Sequence, residues 1–284
     1  MLKIIGNLGV IVFTLGGYYA NGGHIPVLWQ PFEFIIIFGS ACMAYLVANS
    51  KHVLKQTFTD IKLIYKPDKY TKKEYVELLS MLLTVFKTAR TKGWLVMEQH
   101  IENPHESEMF KKFPSFHADH HAVTFLCDYL RLISLGAEKP YEVEALLDQE
   151  IDTEREERSH TSHAVQTMAD GLPALGIVAA VLGVIHTMGS ITEPPAVLGH
   201  LIGGALVGTF LGVFLSYGFV GPIASAIKGR NDAELKYLLC IKVCLLSFLQ
   251  GAAPQVAIEF GRKILIHEVQ PTFIEVEEAI QNLT

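Results

Sequence analysis

The stretch LPALGIVAAVLGVIHTMGSITEPPAVLGHLIGGALVGTFLGVFLSYGFV, Leu172 to Val220, decides the fold. It lies inside a longer run, Ser159 to Ile227, that contains no lysine or arginine. A helix crossing the roughly 30 Å hydrocarbon layer needs about 20 mostly apolar residues, because every backbone polar group must be satisfied within it. Leu172 to Ser190 and Leu198 to Val220 both qualify, joined by the short turn Ile191 to Val197. Ile4 to Ser50 also lacks lysine and arginine, and there Ile4 to Ala20 and Phe32 to Ala48 form a second pair. The expected fold class is an all-α polytopic membrane protein with four transmembrane helices in two hairpins and an inserted helical cytoplasmic domain.

The boundaries follow from polarity. Residues 1–50 form the first hairpin (spans about 4–20 and 32–48) and 51–170 a cytoplasmic helical domain. Residues 171–225 form the second hairpin (spans about 172–190 and 198–220), and 226–284 a C-terminal cytoplasmic segment. The turns Asn21 to Pro31 and Ile191 to Val197 carry no cation. Lys51, Lys55, Lys62, Lys66, Lys69, Lys72 and Lys73 follow the second span, and Lys228 and Arg230 follow the fourth. The positive-inside rule then puts the turns outside and both termini in the cytoplasm. The N-terminal apolar run is read as a span and not as a cleaved signal, because a second span follows at once.

The formal net charge of −6 and the absence of a basic patch interleaved with aromatics exclude nucleic acid as a partner. Cys42, Cys127, Cys240 and Cys244 lack paired zinc-type spacing and read as free thiols. Val76, Leu79, Leu82, Leu83 and Phe86 recur at helical spacing, as do Phe125, Leu126, Tyr129, Leu132 and Ile133. From Pro140 a long helix is expected, with no clear breaker before Gly171. Leu235 to Leu249, interrupted by Lys236 and Lys242, reads as an amphipathic cytoplasmic or interfacial helix, with a fifth span as the alternative.

Gly204, Gly208 and Gly212 stand four apart on one face of the fourth span, where small residues let another helix approach closely. Ala174, Gly176, Ala179, Ala180 and Gly183 offer the same on the third. Small residues on more than one face point to further helices from neighbouring subunits or a partner. No aspartate or glutamate lies near the middle of any span; Glu33, His186 and His200 lie toward outer ends. Buried ionisable groups mark ion paths, so if this chain moves ions a partner has to supply the acid. Thr209 is polar and near mid-helix. Pro173 and Pro222 can kink or end their helices. His117, His120 and His121 lack acidic or cysteine ligands at matching spacing and read as solvated surface, with no metal site expected. No catalytic motif is present, so no enzyme activity and no cofactor are expected.

Several stretches together resemble the MotA family of flagellar-motor stator subunits over almost the whole chain. They are Gly16-Gly17-Tyr18, Gln30-Pro31-Phe32-Glu33, Ile101 through Glu108, Leu172 through Ala180, Val207 through Gly212, and Glu259-Phe260-Gly261-Arg262-Lys263. The resemblance implies a pentamer around a dimer of MotB, whose single transmembrane helix carries the ion-binding aspartate. It also implies torque delivered to the rotor protein FliG. Arg90 and Glu98 match rotor-facing charges, against the alternative of an intradomain salt bridge. Pro173 and Pro222 match prolines coupling ion binding to movement, and Thr209 matches a position lining the ion path. Ala180 stands where sodium-driven relatives have threonine, which implies protons as the coupling ion. The alternatives are an energiser like ExbB and TolQ, which have three spans, and a membrane scaffold that conducts nothing.

Overall fold

The computed structural model describes residues 2–136 and 139–281, with no strand among them. In chain order the helices are α1 (Leu2–Ala20), α2 (Pro31–Phe34), α3 (Ser40–Ala48), α4 (Lys51–Leu63), α5 (Lys72–Lys92), α6 (Trp94–Glu102) and α7 (Pro114–His117). Then come α8 (His120–Ser134), α9 (Pro140–Met188), α10 (Pro195–Leu215), α11 (Gly221–Leu249), α12 (Pro254–Lys263) and α13 (Phe273–Gln281). Wide π turns, Ile35–Gly39 and Ser216–Val220, join α2 to α3 and α10 to α11 without a loop. Four of these helical stretches are long and apolar enough to cross a bilayer, at the four places the sequence marks.

Two compact units result, one from Met1–Pro67 with Glu157–Arg230 and one from Asp68–Glu156 with Asn231–Thr284. The divisions thus fall some way from the polarity breaks at residues 50, 170 and 225. Residues 282–284 of the C-terminal segment lie outside the described residues.

In the first unit, α4 is amphipathic and packs with the membrane helices. The Ser50 hydroxyl accepts from the Val53 amide to start it. Its buried Asp60 accepts from Gln56 at 2.9 Å and from the Thr161 hydroxyl at 2.8 Å, while Tyr45 and Thr57 share a 2.7 Å hydrogen bond. Ile64, Val165, Ala224 and Ile227 bury one another beside it.

Helix α9 runs 49 residues through Gly171 and Pro173. The structure therefore extends the expected long helix into the third span instead of breaking it at Gly171. Of the two readings of Pro222, a kink or a helix end, the structure does not give the end. Pro222 sits in the first turn of α11, directly after the π turn, where the Gly221 amide donates to the Ser216 carbonyl five residues back. A proline has no amide to donate and clashes with the carbonyl four residues before it, and a wide turn at that point relieves both problems.

The second unit is a helical core. Thr71 and Glu74 form a capping box that starts α5, and Thr272 and Glu275 bond reciprocally before α13. Gly93, at φ 79°, and Gly251, at φ 93°, take left-handed conformations that end α5 and α11. Leu78, Leu79, Leu82, Val85 and Phe86 of α5 meet Leu126 and Leu130 of α8 and Ile241 and Leu245 of α11. Phe86 and Phe248 stack with centroids 4.5 Å apart.

Of the readings of Leu235 to Leu249, the amphipathic helix packed away from a membrane surface stands, and the interfacial helix and the fifth span do not. This stretch is the C-terminal half of α11, with Tyr237, Leu238, Cys240, Ile241, Cys244 and Leu245 buried in this core. Lys242 reaches from the apolar run to pair with Asp148, so the cation that interrupts the pattern stays at the edge of the core. The Glu259-Phe260-Gly261-Arg262-Lys263 motif is explained by packing here. A Cβ on Gly261 would lie 2.1 Å from the Cys244 sulfur, and buried Arg262 is held by Glu259 and the Pro271 carbonyl. All four cysteines are free, and burial pushes the Cys127 thiol up to about 12, leaving it protonated and inert.

Candidate functional site

The site is built on the hairpin of α9 and α10. Their helices are apolar on nearly every side, so what selects one face for contact is the absence of side chains. A Cβ on Gly176 would stand 2.9 Å from the Gly208 carbonyl oxygen and 3.0 Å from the Gly212 Cα. One on Gly212 would stand 2.7 Å from the Leu172 carbonyl oxygen, and one on Gly183 would stand 2.7 Å from the Ala205 Cβ. Backbone thus rests on backbone along an antiparallel seam, Gly183 to Ala205, Ala179 to Gly208 and Gly176 to Gly212. The Gly204, Gly208 and Gly212 face is consumed inside the chain: Gly204 is covered by the Gln30 side chain and the other two by α9. Gly199 and Gly171 face open space instead, so small residues remain on other faces too.

Thr209 and Ala180 lie beside this seam, each adjacent in sequence to a residue that forms it, Gly208 and Ala179. The Ala180 amide nitrogen lies 3.1 Å from the Cβ position of Gly208, immediately before Thr209. Thr209 is exposed and Ala180 half-buried, so neither is spent in the chain's own packing. Ile177, Val181, Val184 and Ile185 of α9, with Ile202, Leu206 and Val213 of α10, are exposed as well. A surface that apolar in a bilayer meets lipid tails or other helices. The four spans contain no buried acid. Glu33 is half-buried in the first turn of α2, and His186 and His200 are exposed.

The two prolines occupy different settings. Pro173 lies inside unbroken helix, half-buried, next to Leu172, whose carbonyl faces Gly212. Pro222 is exposed beyond the π turn. Sequence reasoning missed both π turns. The signal for the second was present in Gly218, Gly221 and Pro222, three residues that loosen a helix within five positions.

Arg90 and Glu98 lie in the second unit, on the last turn of α5 and on α6, with Gly93 between them. Both are exposed, and no ion pair joins them among the described residues, so the intradomain salt-bridge alternative is not realised. Arg90 donates to the Ala252 carbonyl at 3.3 Å. With exposed Lys87 and Lys92 it makes a basic helix end, where cations are favoured by the helix dipole.

His117 and His120 gather at His105: the His120 Nδ1 is 3.4 Å from the His105 Nε2, and the His117 Nε2 is 3.0 Å from the His105 carbonyl oxygen. His121 turns away to Glu154. No group of three or more potential ligands could hold a metal among the described residues.

Two family models match the chain, Motility protein A N-terminal over residues 4–93 and the MotA/TolQ/ExbB proton channel family over residues 117–238. Motility protein A of Salmonella typhimurium is 43% identical over 281 residues, covering 99% of this chain and 95% of its own. A structure of C. jejuni MotAB is similar at a TM-score of 0.76 and 19% identity, covering 93% of this chain and 95% of that one. A chain of the flagellar MotAB stator complex from Bacillus subtilis reaches 0.73 at 24% identity, covering 93% and 94%. The structural likenesses establish the fold, and the whole-length identity establishes the kinship: this chain belongs to the MotA/TolQ/ExbB proton channel family, on its Motility protein A branch.

Proposed function

We propose that the chain is the membrane subunit of a bacterial flagellar stator and that it forms, with a MotB-type partner, a proton path whose flux is converted to torque. The observation that carries this reading is the glycine-packed hairpin of α9 and α10, which offers an exposed apolar face with Thr209 beside its seam and no acid of its own. The partner's single helix brings the titratable aspartate, and Thr209 and Ala180 line the path beside it. Moving one charge through 100 mV releases about 2.3 kcal/mol, enough to bias a conformational step. Pro173 and Pro222 are the points where the two long helices yield to that step. Several copies, five by family resemblance, surround the partner dimer, with both termini in the cytoplasm of an inner-membrane protein. Four membrane-length helices favour this reading over the three-span energisers.

Protons are the coupling ion on this reading. Alanine at position 180 has no hydroxyl oxygen to offer a dehydrated sodium ion. Swimming of cells that depend on this chain should persist when sodium is removed and stop when a protonophore is added. The reverse outcome assigns sodium.

The rotor protein FliG is engaged through Arg90 and Glu98. Exposed charges separated by more than a Debye length are screened, so they act in steering and orientation more than in tight binding. Arg90→Glu or Glu98→Lys should lower torque in tethered-cell rotation assays while membrane assembly, read from partner copurification, stays at the parental level. Loss of assembly would make these residues structural.

A further inference from the structure

Outside the seam, the first unit contains a slot of about 270 Å³ between α1 and the junction of α10 with α11. Its polarity is graded. At one end stand Lys3, Asn7 and Tyr65, with the Asn7 amide donating to the Tyr65 hydroxyl at 2.8 Å. At the other end the walls are Val10 and Gly218. Lys3, Asn7 and Val10 follow one another at helical spacing along α1, so the gradient runs with the helix axis, from its charged end into its apolar length.

Two observations say what fits there. Gly6 lines the slot and leaves it open: no heavy atom lies within 4 Å of its Cβ position, so protein does not fill that volume. Among the described residues the one charge on the walls is the Lys3 cation, and exposed Lys62 and Lys66 lie near Tyr65 in sequence. An occupant therefore has a negative head and an apolar tail, and it sits at the depth where α1 enters the bilayer. We propose that this slot binds one anionic phospholipid, its phosphate at Lys3, its ester region at Asn7 and Tyr65, and part of an acyl chain against Gly6, Val10 and Gly218. The proposal rests on the reading of α1 and α10 as membrane spans, and it does not depend on torque or ion flux.

The test is native mass spectrometry of the complex copurified with its partner, delipidated and titrated with phosphatidylglycerol or phosphatidylcholine. The parental complex should retain phosphatidylglycerol over phosphatidylcholine by about fivefold, the scale expected for one cation near a lipid surface. Lys3→Gln should remove that preference. Gly6→Phe, whose Cβ has room and whose ring would occupy the slot, should remove the retained lipid itself. Equal retention of the two lipids by the parental complex would reduce the slot to ordinary lipid contact and overturn the proposal. Unchanged phosphatidylglycerol retention in Lys3→Gln would do the same, and this variant decides the matter should Gly6→Phe fail to assemble. A disulfide between copies carrying Gly6→Cys would identify a neighbouring protein as the occupant and also overturn it. Because retention is read on the isolated complex, a non-motile but lipid-retaining complex would count against the stator reading alone.

Discussion

A Gly212→Leu variant is expected to be non-motile and to lose its partner on purification. A Cβ at this position would lie 2.7 Å from the Leu172 carbonyl oxygen and 2.8 Å from the Gly176 Cα. Both neighbours are backbone, so no rotamer change can make room, and α9 and α10 have to separate or slide. Overpacking a close-fitted interior costs about 1–3 kcal/mol, and here the strain falls on the seam that sets the position of Thr209 and Ala180. Copurified partner, normalised to the amount of chain in the membrane, should fall by about fivefold to a hundredfold for a loss of this size. Gly199→Leu is the control, since nothing lies within 4 Å of its Cβ position. Equal assembly of Gly212→Leu and Gly199→Leu would mean that the seam does not organise the complex.

The second large effect concerns Asp119 in the second unit. This buried carboxylate accepts from the Tyr70 hydroxyl, pairs with Lys69 at 3.0 Å and caps α8 by accepting from the Ala122 amide. The Tyr70 ring stacks on Tyr237 of α11, centroids 3.9 Å apart. Asp119→Ala removes a charge-assisted hydrogen bond and a helix cap together, about 3 kcal/mol in sum. Asp119→Asn keeps most of the cap and should cost about half as much. Thermal unfolding of the purified complex, followed by proteolysis of the second unit, should show the order parental, Asn, Ala. No difference between parental and Ala proteins would sink the assignment.

The same carboxylate fixes a pH dependence. Burial by itself raises its pKa, but the hydrogen bond from Tyr70 and the Lys69 ammonium outweigh burial and hold it below the ordinary carboxylate range. The folded state therefore binds its proton less readily than the unfolded chain. The stabilisation is complete above the unfolded value, near 4, and is lost as pH falls through the lower folded value. Glu275 behaves alike: its bond from Lys72 and the Thr272 amide hold it at about 2. Acid sensitivity of the second unit should be confined below about pH 4, and it should be weaker in Asp119→Asn.

The membrane half of the molecule was legible because its signal is local. Each span must satisfy its own backbone, so Ile4 to Ala20 or Leu198 to Val220 declares itself with no knowledge of neighbours. What the sequence left open was non-local. Leu235 to Leu249 looks amphipathic in isolation. Its apolar side is matched by Leu78 to Phe86, more than a hundred residues earlier, and nothing in the local pattern distinguishes a buried core from a membrane surface. At Pro222 a kink and a helix end both stayed open for a related reason, since a proline after glycine ends most helices unless a widened turn absorbs the missing donor, and periodicity does not show one. At the candidate site the small-residue stripe was visible, but only the structure separates glycines spent within the chain from those left facing outward. Arg90 and Glu98 could not have been chosen from charge alone, because ordinary surface pairs look the same until their geometry is known.

Helix α1 contributes no buried residue anywhere along its 19 positions. By mass action, whatever covers such a helix in the membrane, lipid or a neighbouring copy, adds more to its stability the more abundant it is. On the stator reading, an orphan copy should be cleared faster than an assembled one, which a pulse-chase with and without the partner would check.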